Sequence, residues 1–584
     1  VTQPTLLAPP EPAPPPDVWD SRSRTALRAV SRPMGWLCGA ALVAFLLVPL
    51  IYLVWNSFSP GILAADTSRT LENYREVFGS SNLWPLVRNS LLYGVGVCII
   101  AVTIGGSLAW VGERTNAPLR GWLLPIGLMP LAIPGVLFTL SGVLMFSPDT
   151  GLINQFVASF TPLDGLINIY SMPGMIVLEG AQASPLAYLM VAGYLRSVDS
   201  SLEEAARVAG AGVRRTLRRI TAPLGAPTLL GVLLLIFVRT IESFETPALI
   251  GIPARIPVFT SLIYLAIRDS PPNFALASAY SVLLVAITSI GIFLYGRVLK
   301  RSGQYATITG KGSAVTRLDL GPWRWAVTLG VLLYALAVVV MPVLVLVWSS
   351  LLPSFETPSA AALDRLSFGN YENVIARPDF QNAVSNTAVL AITSALIVSV
   401  IALAIAWITV RSKMKAAWVV DTVASVPLVV PGIVMGMAFL SMALNVPFPL
   451  YGTMLILILL HVTRFLPYGV RTATAGLAQV DVELEEAGAM AGAGWLRRMR
   501  KIALPLVLPT LFGGFLYAAL LSVRELAGSI MVYTVDTRLF SILIFDYWQN
   551  GELGLLSAAS VLVVIVLMAF VYLMKRLGVL GSGS

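Results

Sequence analysis

The chain has 584 residues, 57% of them hydrophobic and only 12% charged, with a mean hydropathy of +0.81. A soluble domain carries about twice that share of charge, so an ordinary water-facing surface is excluded and a polytopic membrane protein is expected. Cys38 and Cys98 both lie in apolar runs and His461 is the one histidine, which excludes a disulfide framework and a metal cluster. The net charge of +9 gathers in short loops, as a positive-inside membrane protein requires, so nucleic acid is not an expected partner.

The proline-rich opening reads as a cytoplasmic tail over 1–33. Apolar runs long enough to span follow from about Met34, Leu86, Trp122, Met175, Pro223 and Ala275, then from Trp325, Ala383, Ala417, Met454, Leu504 and Leu555. The expected fold is therefore all-α, with about twelve transmembrane helices. Basic loops at Arg114 with Arg120, Arg196–Arg219, Arg297–Arg324, Arg411–Lys415, Arg497–Lys501 and Lys575 with Arg576 alternate with loops of little positive charge. Both termini are thus expected in the cytoplasm. The closing Gly-Ser-Gly-Ser at 581–584 reads as an appended tail outside the fold.

An internal repeat organises the spans. Asn73-Tyr74 recurs as Asn370-Tyr371 and Pro134-Gly135 as Pro431-Gly432, both at an offset of 297 (370 − 73, 431 − 134). Glu204-Ala205 recurs as Glu486-Ala487 and Pro223 as Pro505 at 282 (486 − 204, 505 − 223), so the first half holds an insertion, placed within Ser147–Gly174. Two homologous six-helix units over 34–300 and 324–580, joined by a basic linker over 301–323, are expected.

The loop after the fourth span of each unit is the most informative stretch. It reads Glu204-Ala205-Ala206-Arg207-Val208-Ala209-Gly210 and later Ile220-Thr221-Ala222-Pro223 in the first unit. The second has Glu486-Ala487-Gly488-Ala489-Met490-Ala491-Gly492 and Ile502-Ala503-Leu504-Pro505. Carboxylates suit the start of a short helix, glycine ends it, and proline opens the next span. Two copies in equivalent loops suggest a pair of docking sites for a two-fold partner.

At these residues the chain resembles the permease subunits of binding-protein-dependent ABC importers, whose loop has the pattern Glu-Ala-Ala, three residues, Gly, nine residues, Ile-x-Leu-Pro. Ala222 and Gly488 depart from it. The resemblance implies the type I importer permease fold in a bacterial inner membrane, two copies of an ATPase subunit beneath it, and an external substrate-binding protein. ATP-Mg is used by the ATPase; this chain is expected to bind no cofactor or metal, to have no catalytic residue, and to work as a transport subunit and not an enzyme. The nearest approach to a P-loop, Gly310-Lys311, lacks the first glycine and the final Ser or Thr. The coupling residues implied are Glu204, Ala205, Ala206, Gly210, Pro223, Glu486, Ala487, Gly492 and Pro505.

Fusion of two units in one chain, together with Glu242-Ser243-Phe244-Glu245-Thr246-Pro247 and Arg524-Glu525-Leu526-Ala527, resembles the ferric iron importer permeases. Thiamine importer permeases come next, and polyamine, sulfate and phosphonate importers share the framework. An ion-coupled secondary transporter would also have two six-span halves, but without the paired loops.

Ionisable groups inside spans normally face a cavity or a partner. Glu179 in the fourth span is matched by His461 in the tenth, with Arg464 a turn further, and the three are expected at the interface between units, bordering the path. Glu242, Glu245, Arg524 and Glu525 follow Pro223 and Pro505 by about 30 Å of helix, which places them at the outer mouth; an ion pair among them is the alternative. Pro134, Gly135, Pro431 and Gly432 predict a kink inside each third span, a candidate hinge.

Overall fold

The computed structural model describes residues 47–60, 68–131, 133–161, 165–197, 205–206, 208–302, 317–411 and 417–576. The proline-rich tail, the start of the first span, most of the linker and Glu204 lie outside the described residues. Within them the regular structure is helical, apart from one isolated bridge between Thr115 and Leu318.

The first half runs α1 (Val48–Ser57), α2 (Glu72–Gly79), α3 (Leu83–Arg114), α4 (Leu123–Leu128), α5 (Gly135–Phe146), α6 (Leu152–Phe160), α7 (Met172–Ser197), α8 (Ala222–Glu242), α9 (Phe259–Arg268) and α10 (Phe274–Ser302). The second half has α11 (Trp323–Ala335) leading into α12 (Met341–Ser350), then α13 (Gly369–Ala376), α14 (Pro378–Val410), α15 (Ala417–Ser425) and α16 (Gly432–Asn445). It ends with α17 (Met454–Ala478), α18 (Val482–Met490), α19 (Leu504–Arg524), α20 (Phe540–Gln549) and α21 (Leu553–Arg576). The long helices correspond in order, α3 to α14, α7 to α17 and α8 to α19. Helix α6 falls where the repeat offset drops, so it is the body of the insertion.

Seven helices among the described residues are long and apolar enough to cross a bilayer, and up to ten if each of three bent pairs is one span. The other two of the twelve expected runs appear as the shorter apolar helices Val48–Ser57 and Leu553–Ala569.

Repeated motif residues have matching structural work. Asn73 donates to the carbonyls of Ser57 (3.0 Å) and Ser59 (2.8 Å), and Asn370 to those of Ser350 (3.0 Å) and Leu352 (2.7 Å). Tyr74 and Tyr371 reach the Ser57 and Ser350 hydroxyls at 2.8 and 2.6 Å. Each pair ties the end of a first span to the short helix that follows it. Lipid offers no hydrophobic gain for helix association, so close approach comes from small residues. Gly105 of α3 accordingly lies on the backbone of Ser184 and Tyr188 in α7.

The halves interlock. α1 packs on α10 and on α16 of the other half, while α12 packs on α21 and on α5 of the first half. Helices α5 and α16 are buried along almost their whole length and form the centre.

The prolines do not kink a continuous third span. Ala417–Leu428 and Gly432–Asn445 meet at 103°, and Arg120–Leu131 and Gly135–Phe146 at 94°, so each third span is broken in two. Pro134 and Pro431 adopt ψ of 142° and 146°, outside the helical range, and the second helical piece starts at the glycine. A break frees backbone carbonyls and N–H groups that lipid cannot satisfy. It persists here with side chains from the other half donating to the carbonyls of Leu131, Ile133 and Val429.

Candidate functional site: charged helix breaks and paired loops

Helix α14 spans 33 residues, about 50 Å against a hydrocarbon core of about 30 Å. Ser394 stands 16 residues from either end (394 − 378, 410 − 394). It hydrogen-bonds Ser522 at 3.4 Å, and Ser522 bonds His461 Nδ1 at 2.6 Å. The other imidazole nitrogen meets Ser529 at 2.9 Å and lies 3.7 Å from Glu525. The Glu525 carboxylate accepts from the N–H groups of Gly528 (2.7 Å) and Ser529 (2.9 Å), and Arg464 stands 3.8 Å away. These side chains form one cluster joining α14, α17 and α19.

The first half carries the same cluster with the acid moved. Glu179 accepts from the Thr246 hydroxyl at 2.6 Å, beside Tyr93 and Ser243. At the repeat offset Glu179 corresponds to His461, Thr240 to Ser522 and Ser243 to Glu525. The carboxylate therefore stands on the fourth span in one half and on the turn after the fifth in the other.

One expectation is corrected. Glu179 and His461 do not meet at a common interface; each is bound within its own half, and His461 is fully buried. Arg464 does reach the boundary, beside Glu242 of the first half. Glu242 and Arg524 are the last residues of α8 and α19, and Glu245 and Glu525 lie in the turns that follow them. The chain beyond stays inside the protein, with Pro247–Gly251 and Ser529–Val532 buried throughout.

The breaks gather these charges. Arg524 crosses from the second half to donate to the carbonyls of Leu131 and, at 3.4 Å, Ile133, where the first third span stops. Glu245 lies beside Arg524 and at Gly135, the start of α5, where a carboxylate suits the positive end of the helix. In return Thr288 of α10 donates to Val429 at the second break at 3.1 Å. The Arg464 guanidinium rests on Gly432 so closely that a Cβ there would overlap it. Arg239 of α8 lies near Glu242 and near Tyr468 and Tyr517 of the other half.

The paired loops match in backbone detail. Gly210 and Gly492 have φ of +79° and +78°, the left-handed conformation that only glycine adopts without strain. Each is followed by the six-to-one hydrogen bond of a Schellman turn, Ala211 N–H to Ala206 O at 2.9 Å and Ala493 N–H to Gly488 O at 3.0 Å. Val208 and Met490, equivalent positions, expose 88% and 72% of their surface, so each loop presents an apolar residue outward. Asp481 caps α18 by accepting from the Glu483 N–H. Arg411, at the end of α14, pairs with Glu485 at 3.0 Å and donates to the carbonyls of Leu477 and Val480. Gly488 departs from the alanine pattern for a packing reason: a Cβ there would stand 2.7 Å from Ile502. π turns at Leu217–Thr221 and Met499–Ala503 precede Pro223 and Pro505 in both halves.

Residues 101–304 and, a second time, 398–578 match the family of binding-protein-dependent transport system inner membrane components. The chain belongs to that family. It is the permease component of an ABC importer, a membrane-embedded transport subunit that works with ATPase subunits and a substrate-binding protein. The permease is 25% identical over 91% of its length, and 77% of the relative's, to the ferric transport system permease FbpB of Actinobacillus pleuropneumoniae. It is 23% identical, over 93% of its length and 99% of the relative's, to the Fe(3+)-transport system permease FbpB 2 of Haemophilus influenzae. A crystal structure of a bacterial ABC transporter that imports alginate overlays on 45% of the permease and 99% of its own chain, at 15% identity and a TM-score of 0.34.

Sequence reasoning missed Arg239, Arg411, Tyr93, Thr246, Ser522 and Ser529. Arg239 had a signal, being a lone arginine in the apolar run Leu229–Ile241. The hydroxyls had none, because serine and threonine in a membrane helix usually bond their own backbone.

Proposed function

We propose that the permease passes ferric iron from an external binding protein to the cytoplasm by alternating access, driven by two copies of one ATPase subunit. The observation that carries the coupling half of this reading is the pair of loops with equivalent left-handed glycines and equivalent exposed apolar residues. A helix that ends in a fixed Schellman turn and offers Val208 or Met490 fits a cleft in a partner, and two such helices fit a two-fold pair of partners. Glu204, Ala205, Ala206, Gly210 and Pro223, with Glu486, Ala487, Gly492 and Pro505, form the two couplers. The loops lie on the cytoplasmic face, as do both termini, and the units divide at the basic linker over 301–323.

Iron as cargo is supported by the names of the relatives that match most of the chain and by the carboxylates and backbone carbonyls at the helix breaks, oxygen donors that suit a hard cation. Glu179, Glu242, Glu245, Arg464, Arg524, Glu525 and His461 line or support the path, and Pro134-Gly135 and Pro431-Gly432 act as hinges between rigid pieces.

The experiment is reconstitution of the permease with its ATPase in proteoliposomes, supplied with binding protein loaded with ferric iron or with thiamine. Iron uptake that requires ATP is the expected result, and uptake of thiamine alone would replace iron as cargo. Replacing Glu204 and Glu486 with Lys should abolish ATPase copurification while leaving membrane insertion intact; unchanged copurification would refute the coupling assignment.

A further inference from the structure

The first helix break has an unusual closure. The carbonyls of Leu131 and Ile133 end one half of the third span, and the Glu245 carboxylate stands at Gly135, where the other half begins. The two carbonyls accept from one cationic group, the guanidinium of Arg524, which belongs to the opposite half, and Glu245 stands near it. Backbone carbonyls at a break together with a carboxylate are oxygen donors of the kind a hard-cation site uses, and such sites form at broken helices.

We propose that the break between Leu131 and Gly135 is a hard-cation site, with Leu131 O, Ile133 O and the Glu245 carboxylate as ligands, whose place Arg524 holds in this conformation. The guanidinium is a tethered cation. It satisfies the freed carbonyls and balances Glu245 while the site is unused, so the break never faces the bilayer interior with orphan acceptors. Because Arg524 sits at the end of α19 and its acceptors sit on the first half, relative movement of the halves withdraws it. The vacated oxygens then accept a mobile cation in its stead. The second break differs: its carbonyl at Val429 is taken by the neutral Thr288 hydroxyl and its glycine is covered by Arg464 from the same half. One break of the two thus has a cation that can be exchanged by motion between halves.

This inference rests on the reading of the permease as a cation importer, and its test is separate from transport. The permease–ATPase complex in lipid nanodiscs is titrated with Tb³⁺, a hard trivalent probe, and binding is followed by luminescence. Arg524→Gln should bind Tb³⁺ at least about tenfold more tightly than the resting wild type, since the competing charge is gone. Arg524→Lys should stay near wild type, and adding Glu245→Gln to Arg524→Gln should remove the gain. Equal binding by Arg524→Gln and wild type, or a gain that survives Glu245→Gln, overturns the proposal. If Arg524→Gln does not fold, the vanadate-trapped wild-type complex carries the test. It should bind Tb³⁺ more tightly than the resting complex, and no gain overturns the site. ATP-driven uptake of iron by the wild type is scored independently, so a failure of iron as cargo and a failure of this site give different results.

Discussion

Arg411 is the mechanical link between the second coupling helix and the membrane helices, and removing it should loosen that helix without unfolding the permease. Its guanidinium pairs with Glu485 on α18 and holds two carbonyls, Leu477 and Val480, at the end of α17. The two charged side chains are only 10% and 16% exposed, so solvent screens them little. A hydrogen bond to a charged group contributes about 1.5–3 kcal/mol. In Arg411→Ala the carbonyls lie at the helix end and can take water, so the net loss is set by the Glu485 pair, about 2 kcal/mol. At 1.4 kcal/mol per factor of ten this is roughly a thirtyfold rise in local opening. Hydrogen–deuterium exchange over residues 482–492 in nanodiscs reads it directly, and ATP hydrolysis per cargo molecule should rise because the stroke is transmitted less faithfully. Exchange within about threefold of wild type in that segment, or a rise spread equally along α14 and α17, would refute the link.

Adjacent glycines give a sharp contrast: Gly105→Ala should lose about 1–3 kcal/mol by pressing on the α7 backbone, with the Tyr188 nitrogen 2.6 Å from the new Cβ, while Gly106→Ala has nothing within 4 Å and should be neutral. Thermal melting in detergent checks both. Gly492→Ala forces a left-handed alanine at φ +78° and should cost about 1–2 kcal/mol of local stability. That appears as faster exchange in α18 and weaker ATPase copurification, with Gly494→Ala, in open space, as the unaffected control. Asn370→Ala leaves two carbonyls without their donor and should lower the melting temperature; Asn370→Gln should not restore it, since the longer side chain shifts the amide.

The sequence revealed the large plan because periodic hydrophobicity and repeat register survive divergence. Asn73 and Asn370 recur since each fixes the same turn, and Gly210 and Gly492 recur since each needs the same φ. Pro134-Gly135 and Pro431-Gly432 predict a kink, whereas each third span is broken. Proline followed by glycine sets local backbone geometry, but whether the freed carbonyls find partners depends on Arg524 and Thr288, each from the other half. Partners distant in sequence are invisible to local pattern.

The same long-range pairing explains why two diverged halves serve here better than two identical ones. Position 242 carries glutamate and its counterpart 524 carries arginine. In a symmetric dimer the axis would bring like charges toward one another in a low-dielectric interior, which disfavours ionisation of both. With opposite signs at equivalent positions, the axis instead brings complementary charges near one another: Glu242 lies near Arg464, and Arg524 near Glu245. The acid that moved from the fourth span, at Glu179, to the turn at Glu525 follows the same logic, since it leaves His461 beside a carboxylate where a copied glutamate would have been repelled. A chemically asymmetric path through a structurally symmetric frame is thus stable only when each half can change independently. Restoring symmetry by Arg524→Glu should therefore be worse than deleting the charge by Arg524→Gln, because it sets a second carboxylate against Glu245 and the Leu131 and Ile133 carbonyls. The yield of folded complex should fall in the order wild type, Arg524→Gln, Arg524→Glu, and adding Glu245→Arg should recover part of the last loss. An Arg524→Glu complex as abundant and as heat-stable as Arg524→Gln would show that these charges do not hold the halves together.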